Sequence, residues 1–276
     1  MPQTQENIYP AALLAWHIAM GADEAIDENP VDRFVAAPPP VAVMPEAKTA
    51  GQTPAAGQSP AQKPTPIAAR PAQPTIGAGA AEAVKVAAAC NSLDELKAAL
   101  NSFDGGLLKR SAKNTVFADG VPGAPLMVIG DVPGSEDDQT GLPFVGQAGQ
   151  LLDKMLAAIG MTRAENAYLS TVVPWRPLGN SKPDAALLAV CKPFTERHIE
   201  LAAPKVVLGL GGALGKAIFE TQDSISRQRG RWQELTTTSQ TIALIATYHP
   251  TYLLNQPHQK GNAWRDLLAV KEKLVS

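Results

Sequence analysis

Four short apolar runs, with helical patterns between them, constrain the fold of this chain more than any other feature. The runs cover residues 125–130, 167–173, 204–210 and 241–247. Runs of this length that are rich in β-branched residues are typical of parallel strands buried on both faces. The helical patterns that alternate with them cover residues 149–159, 184–202, 213–219 and 263–274. The alternation predicts a three-layer α/β/α sandwich with a central parallel sheet of about four strands.

The first 80 residues differ in composition from the rest of the chain. Residues 9–27 show a short amphipathic helical pattern, so residues 1–35 are predicted to form an N-terminal helical segment that could dock a protein partner. Residues 36–80 carry ten of the 24 prolines, mixed with Ala, Gln, Thr and Gly. Such a composition buries too little apolar surface to offset chain entropy, and it predicts a disordered linker more readily than a proline-rich ligand. We expect a globular domain over residues 81–276.

The formal charge of −2 does not indicate a protein that binds nucleic acid through its net charge alone. The charge is unevenly distributed, because residues 104–276 carry 18 Lys and Arg against 16 Asp and Glu, a net +2, while the preceding part is acidic. The predicted domain is therefore mildly basic, which is compatible with an anionic partner.

Cys90 and Cys191 are the two cysteines of the chain. They are too few for a disulfide framework or for a four-ligand metal site, so we expect no bound metal. The N-terminus lacks the pattern of a secretory signal, and no run of eighteen apolar residues occurs. We expect a cytoplasmic protein that makes no contact with membranes.

The loop after the first predicted strand carries the parts needed to hold a nucleoside. Asp131 lies at the strand exit, between Gly130 and Val132, and Phe144 follows within a glycine-flanked segment. Parallel sheets bind ligands at the carboxyl ends of their strands, glycines permit close approach, and an aromatic ring offers a flat apolar surface. The alternative is a tight turn with a solvated acidic run and a phenylalanine in the core.

His249 follows the last predicted strand, at the same end of the sheet. An imidazole there could donate a hydrogen bond to an oxygen that gains negative charge. Tyr252 and Leu253 come next, and they are candidates for an apolar wedge pushed between stacked bases. The alternative is a histidine with a purely structural role.

Two further loops carry groups suited to phosphate contacts. Arg176 and Asn180 follow the second strand, and Arg229 and Arg231 flank a glycine before the fourth. Basic loops around an apolar pocket are what a DNA-binding cleft requires. A solvated surface without a ligand is the alternative.

Several motifs in fixed order make residues 90–275 resemble the family 4 uracil-DNA glycosylases. The motifs are GDVPGSEDDQTGLPFVGQAGQLLDKML, YLSTVVPWRPLGN, CKPFTERHIELAAPKVVLGLG, RGRW, TYHPTYLL and AWRDLL. The resemblance implies an α/β/α sandwich that receives a uracil flipped out of single- or double-stranded DNA and hydrolyses its glycosidic bond. We expect such an enzyme to act as a monomer in base-excision repair.

The resemblance also implies roles for individual residues. Asp131 stands where the family has a glutamate that helps the attacking water, and His249 where a histidine stabilises the departing uracil anion. Phe144 would stack on uracil, with Gly130 and Val132 beside it. Thr171 stands where an asparagine reads the edge of the base.

Departures from the family pattern leave a second hypothesis open. Asp131 is shorter than the usual glutamate, Thr171 offers only a hydroxyl, and Asn255 replaces an arginine that often follows the wedge. Relatives often bind an iron–sulfur cluster through four cysteines. Because only Cys191 matches a cluster position and Trp175 occupies another, we expect no cluster. The alternative function is a degenerate, catalytically weak or inactive domain that still binds DNA.

Overall fold

A computed structural model of the protein describes residues 76–237 and 240–276. The predicted N-terminal segment and the predicted linker up to residue 75 lie outside the described residues. The last five residues of that linker belong to the first helix, α1, Ile76–Ala89. Ser92 caps the next helix, α2, Leu93–Ser102, by accepting a hydrogen bond from the Glu95 amide.

The sheet has six strands in the spatial order β1-β3-β2-β4-β6-β5. In chain order they are β1 Ala118–Gly120, β2 Leu126–Gly130, β3 Ala167–Thr171, β4 Val206–Leu210, β5 Trp232–Thr236 and β6 Thr241–Thr247. The four predicted strands form its parallel centre. The predicted strand number was wrong because two antiparallel edge strands, β1 and β5, are added. Neither edge strand has the continuous apolar run of a central strand, since β1 has three residues and β5 is largely exposed.

Helices cover both faces of this sheet. After α2 they are α3 Gly106–Ser111, α4 Ser135–Thr140, α5 Gln147–Ala158, α6 Ala185–Ala202, α7 Ala213–Phe219, α8 Ile225–Gln228, α9 Pro250–Asn255 and α10 Lys260–Val275. Short 3₁₀ turns occur at Leu178–Asn180 and Pro257–Gln259. The four helical patterns of the sequence correspond to α5, α6, α7 and α10.

Alternate residues of each central strand enter different cores. Leu126 and Val128 of β2 pack with α5, α9 and α10, whereas Met127 and Ile129 pack with α6 and α7. This arrangement confirms the three-layer α/β/α sandwich. It also brings the loops after β2, β3, β4 and β6 to one edge of the sheet. In the described part of the chain, no helix is both long and apolar enough to cross a bilayer.

Candidate active site

A cleft of about 550 Å³ opens at the carboxyl ends of the parallel strands, and its size suits a small ligand. Loops that follow β2, β3 and β6 supply its walls. The lining residues include Asp131, Val132, Phe144, Asn180, His249 and Leu254. The structure therefore brings together the acid, the aromatic ring and the imidazole that the sequence singles out.

Asp131 follows β2 directly and its carboxylate meets the first turn of α7. Its Oδ1 accepts a hydrogen bond of 2.8 Å from the Ala213 amide. Burial raises the pKa of Asp131 to about 6, although backbone amides and two nearby lysines act in the opposite direction. Gly211 leaves space for this carboxylate, because a Cβ there would lie 2.3 Å from its Oδ2. Asp131 is thus a fixed carboxylate that is ionised above a mildly acidic pH.

Phe144 lies under the end of β2. A Cβ on Gly130 would lie 2.5 Å from Cζ of the Phe144 ring, so a glycine is needed there for the ring to pack against the strand. The backbone of Phe144 has a φ of +58°, which is unfavourable for an aromatic residue. The surrounding contacts must therefore hold this conformation.

Two side chains bind the peptide group that joins Phe144 to Val145. Arg163 Nη2 donates to the Phe144 carbonyl oxygen at 3.0 Å, and this guanidinium is itself held by Asp119 and Asp153. Asp137 Oδ1 accepts from the Val145 amide at 2.8 Å. The sequence patterns assigned no role to Arg163, which lies outside the family motifs, or to Asp137, which lies within the first of them. Asp137 lines the cleft as well.

His249 is the N-cap of α9. Its Nδ1 accepts a hydrogen bond of 3.2 Å from the Thr251 amide. Burial lowers the pKa of His249 to about 4, so the ring is neutral at physiological pH and carries its proton on Nε2. The ring centroids of His249 and Phe144 are 5.9 Å apart. The cleft therefore holds a flat apolar surface beside a neutral N–H donor.

Thr171 does not join these residues in the cleft. It is buried at the end of β3, and its hydroxyl donates to the Val173 carbonyl oxygen at 2.9 Å. It lines a separate cavity of about 20 Å³, together with His198. In this conformation its hydroxyl is used within the chain.

The predicted wedge needs a correction within α9. Leu253 is fully buried in the core and cannot reach DNA without unpacking. Its neighbours Tyr252 and Leu254 are 40% and 41% exposed, and Leu254 lines the cleft. The helical period decides this, since Pro250 and Leu253 share the inward face of α9. The helical spacing of Pro250 and Leu253 was the signal in the sequence that could have indicated Leu254, and not Leu253, as the exposed residue.

The predicted DNA-binding residues of the basic loops divide into two groups. Arg229 is used internally, because its guanidinium binds the buried Asp266 at 2.6 Å and the Asn262 carbonyl oxygen at 2.7 Å. Arg176 is half-buried and donates from Nε to Asn180 Oδ1 at 2.9 Å. Arg231 is exposed and has no side-chain partner in the described part of the chain. We therefore remove Arg229 from the candidate phosphate contacts.

The residues present do not fit an iron–sulfur cluster held by four cysteines. Trp175 occupies a position where relatives are expected to have a cluster cysteine. Its ring is 1% exposed and stacks on Phe103 at a centroid distance of 6.5 Å. Gly105 has no room for a side chain, since a Cβ there would lie 2.9 Å from the Trp175 ring. Cys90 and Cys191 are buried thiols in different core clusters. Among the described residues, no group of three or more His, Cys, Asp or Glu could hold a metal ion.

The fold and the cleft together define an α/β protein with room for a small ligand beside a carboxylate, an aromatic ring and a hydrogen-bond donor. Comparison with known proteins identifies the family. The profile of the uracil DNA glycosylase superfamily matches residues 117–268. The chain therefore belongs to the uracil-DNA glycosylase superfamily, whose members are DNA-repair enzymes that hydrolyse N-glycosyl bonds.

Curated relatives place it near one branch of that superfamily and confirm the resemblance found in the sequence. The type-4 uracil-DNA glycosylase of Sulfurisphaera tokodaii is 30% identical over 67% of this chain and 86% of its own. That of Archaeoglobus fulgidus is 32% identical over 66% of this chain and 92% of its own. That of Thermotoga maritima is 36% identical over 51% of this chain and 72% of its own.

Proposed function

We propose that this protein removes uracil, the product of cytosine deamination, from DNA and leaves an abasic site, with Asp131 and His249 as its catalytic residues. The main support is that a carboxylate, an aromatic ring and an imidazole line one cleft. The names of the relatives, type-4 uracil-DNA glycosylases, support the same substrate.

Base binding rests on Phe144. Its ring packs against Gly130, and two hydrogen bonds hold the peptide group that follows it, so it offers a rigid surface for an extruded pyrimidine. Stacking on a rigid ring is tolerant of base identity. Discrimination between bases must therefore come from polar groups at the edge of the base. Val132 also lines the cleft, where its side chain would limit the size of the base that fits.

We assign to His249 the stabilisation of the leaving group. When the bond between C1′ and N1 breaks, its electron pair passes to N1 and is shared with the O2 oxygen of the pyrimidine. The Nε2–H of a neutral imidazole can donate a hydrogen bond to that oxygen. Because the pKa of His249 is about 4, this group acts as a hydrogen-bond donor and not as a charged acid at neutral pH.

We assign to Asp131 the stabilisation of the sugar. Bond cleavage leaves positive charge on C1′ and the ring oxygen, and a nearby carboxylate lowers the energy of that state. A water molecule then adds to C1′, and its proton passes to the carboxylate. The pKa near 6 suits a group that is ionised at neutral pH and can still accept this proton.

DNA contacts around the cleft come from several elements. Tyr252 and Leu254 provide the exposed apolar side chains that would fill the gap left by the extruded base. Arg231 and Arg176, the latter together with Asn180, provide polar groups for the strand. The chemistry above uses side chains and water, and it requires no cofactor.

A direct test uses oligonucleotides with one uracil, as single strand and as duplex, followed by alkali treatment to cleave abasic sites. We expect cleavage by the wild-type chain, and Asp131→Ala and His249→Ala should each reduce the rate at least about 100-fold. An absence of cleavage at high enzyme concentration would contradict the proposal.

Two observations favour the degenerate, DNA-binding alternative. The Thr171 hydroxyl is turned to the Val173 carbonyl oxygen, and one Asp131 oxygen is held by the Ala213 amide. The combined change Asp131→Glu and Thr171→Asn distinguishes the two functions. A large gain in uracil release with unchanged DNA affinity would support the degenerate function, and little or no gain would support an active wild-type enzyme.

A further inference from the structure

Most of the arginines near the cleft are already used within the protein. Arg163 pairs with Asp119 and Asp153, Arg229 with Asp266, and Arg227 approaches Asp223 at 3.6 Å. These contacts leave few arginine charges for a ligand. Lys182 and Lys216 differ, since both are exposed and neither has a side-chain partner within the described ranges.

Lys216 lies beside the catalytic acid. It belongs to the last turn of the short helix α7, three residues after Ala213, whose amide binds Asp131. Side chains of a helix lean toward its N-terminus, so the ammonium group of Lys216 lies near the turn that holds the carboxylate. The charge of Lys216 also acts to lower the pKa of Asp131.

Lys182 is the second lysine whose charge acts on Asp131. It follows the turn that carries Asn180, which lines the cleft, and its charge also acts on Asp131. In the sheet, β2 lies between β3 and β4. Lys182 follows β3 and Lys216 follows β4, so the two lysines flank the residue that follows β2.

Acidic groups dominate the cleft itself. Asp131, Glu136 and Asp137 all line it, and these carboxylates would repel the phosphates of a bound strand. A nucleic acid that places one nucleotide in this cleft therefore needs cations at its mouth. An ammonium group on a long flexible chain is well suited to bind a phosphate as a point charge.

We propose that Lys182 and Lys216 bind the phosphate groups on the two sides of the extruded nucleotide. The inference rests on the proposed function and adds the residues that hold the damaged strand. The ends of β3 and β4 are two strand spacings apart, roughly 10 Å, so the two side chains can reach different phosphates. Their role is to position the strand, and neither is a catalytic residue.

The experiment measures binding of the full chain to a single-stranded oligonucleotide containing one 2′-fluoro-2′-deoxyuridine, whose fluorine withdraws electrons and slows cleavage. The affinity is followed against salt for the wild type, Lys182→Ala, Lys216→Ala and the double variant. Lys205→Ala is the matched control, because Lys205 is equally exposed but precedes β4, at the opposite end of the sheet. Each lost phosphate contact should lower the slope of log K against log salt by about 0.7.

Neutral methylphosphonates on the two sides of the modified uridine supply a second readout. They should weaken binding by the wild type and by Lys205→Ala, and they should have little further effect on the double variant. Equal salt slopes for the double variant and Lys205→Ala would overturn the inference. Uracil release by the wild type, measured separately, tests the proposed function, so a failure of the lysine roles alone leaves that function standing.

Discussion

Arg163 donates from Nη2 to the carbonyl oxygen of Phe144 at 3.0 Å, and through this bond it holds an aromatic residue at a φ of +58°. The guanidinium lies between two carboxylates, Asp119 and Asp153, so its own position is fixed. The aromatic surface of the cleft thus depends on a residue that does not line the cleft.

Arg163→Gln should release the backbone of Phe144 and disorder the stacking surface. We expect KM for uracil-containing DNA to rise more than kcat falls, and the free energy of unfolding to drop by about 1–3 kcal/mol. Steady-state kinetics and denaturant unfolding measure the two effects. Asp153→Asn is the control, because it removes one partly exposed ion pair and leaves the bond to Phe144 in place. Unchanged KM in Arg163→Gln would contradict the assigned role.

The activity should fall in acid with the titration of Asp131. Its pKa of about 6 predicts that kcat/KM decreases about tenfold per pH unit below that value, because protonation removes the negative charge from the site. His249, with a pKa near 4, should not contribute to this acid limb. A pH profile of single-turnover cleavage gives the midpoint. A midpoint near 4 would show that Asp131 is not the titrating group.

The ionisation of Asp131 should affect stability in the opposite direction, so that the free energy of unfolding falls as the pH rises. Because the pKa of Asp131 is raised in the folded protein, the protonated carboxyl group stabilises the fold and its ionisation opposes folding. This stabilisation is lost as the pH rises from about 4 to about 6. Asp131→Asn should therefore increase the free energy of unfolding by about 3 kcal/mol at pH 8 and change it little at pH 4. Denaturant unfolding at the two pH values measures this difference. Equal effects at both pH values would argue against a raised pKa.

Adjacent leucines in α9 should behave differently. Leu253→Ala should lower the free energy of unfolding by about 2–5 kcal/mol, because it leaves a cavity in the core. Leu254→Ala should change stability by less than about 0.5 kcal/mol, since its side chain is 41% exposed. If Leu254 fills the gap left by the base, its removal should slow uracil release from duplex more than from single strands. Equal slowing on both substrates would exclude a wedge role.

Trp175 should be a structural residue. Trp175→Ala should lower the free energy of unfolding by about 3–5 kcal/mol, because the ring is 1% exposed and stacks on Phe103. Trp232→Ala is the matched control, since that ring is 40% exposed on an edge strand.

Anaerobically purified wild-type protein should show no charge-transfer absorption from iron and sulfide. Such absorption would show that the chain binds a cluster with other ligands.

Local patterns in the sequence were sufficient for the central sheet, the main helices and the loops that carry Asp131, Phe144 and His249. Each depends on residues close in the chain: apolar runs define buried strands, and the carboxyl ends of parallel strands meet at one edge. The same sequence gave no local sign of the edge strands β1 and β5, because their pairing is decided by neighbouring strands and not by their own composition.

Only the tertiary structure decided how several side chains are used. Arg229 is held by Asp266, 37 residues further along the chain, and Arg163 by Asp119, 44 residues earlier. Leu253 and Leu254 have the same side chain, but the packing of α9 against the core buries one and exposes the other. Sequence determines which groups are available, whereas contacts between distant segments determine which of them remain free to meet a ligand.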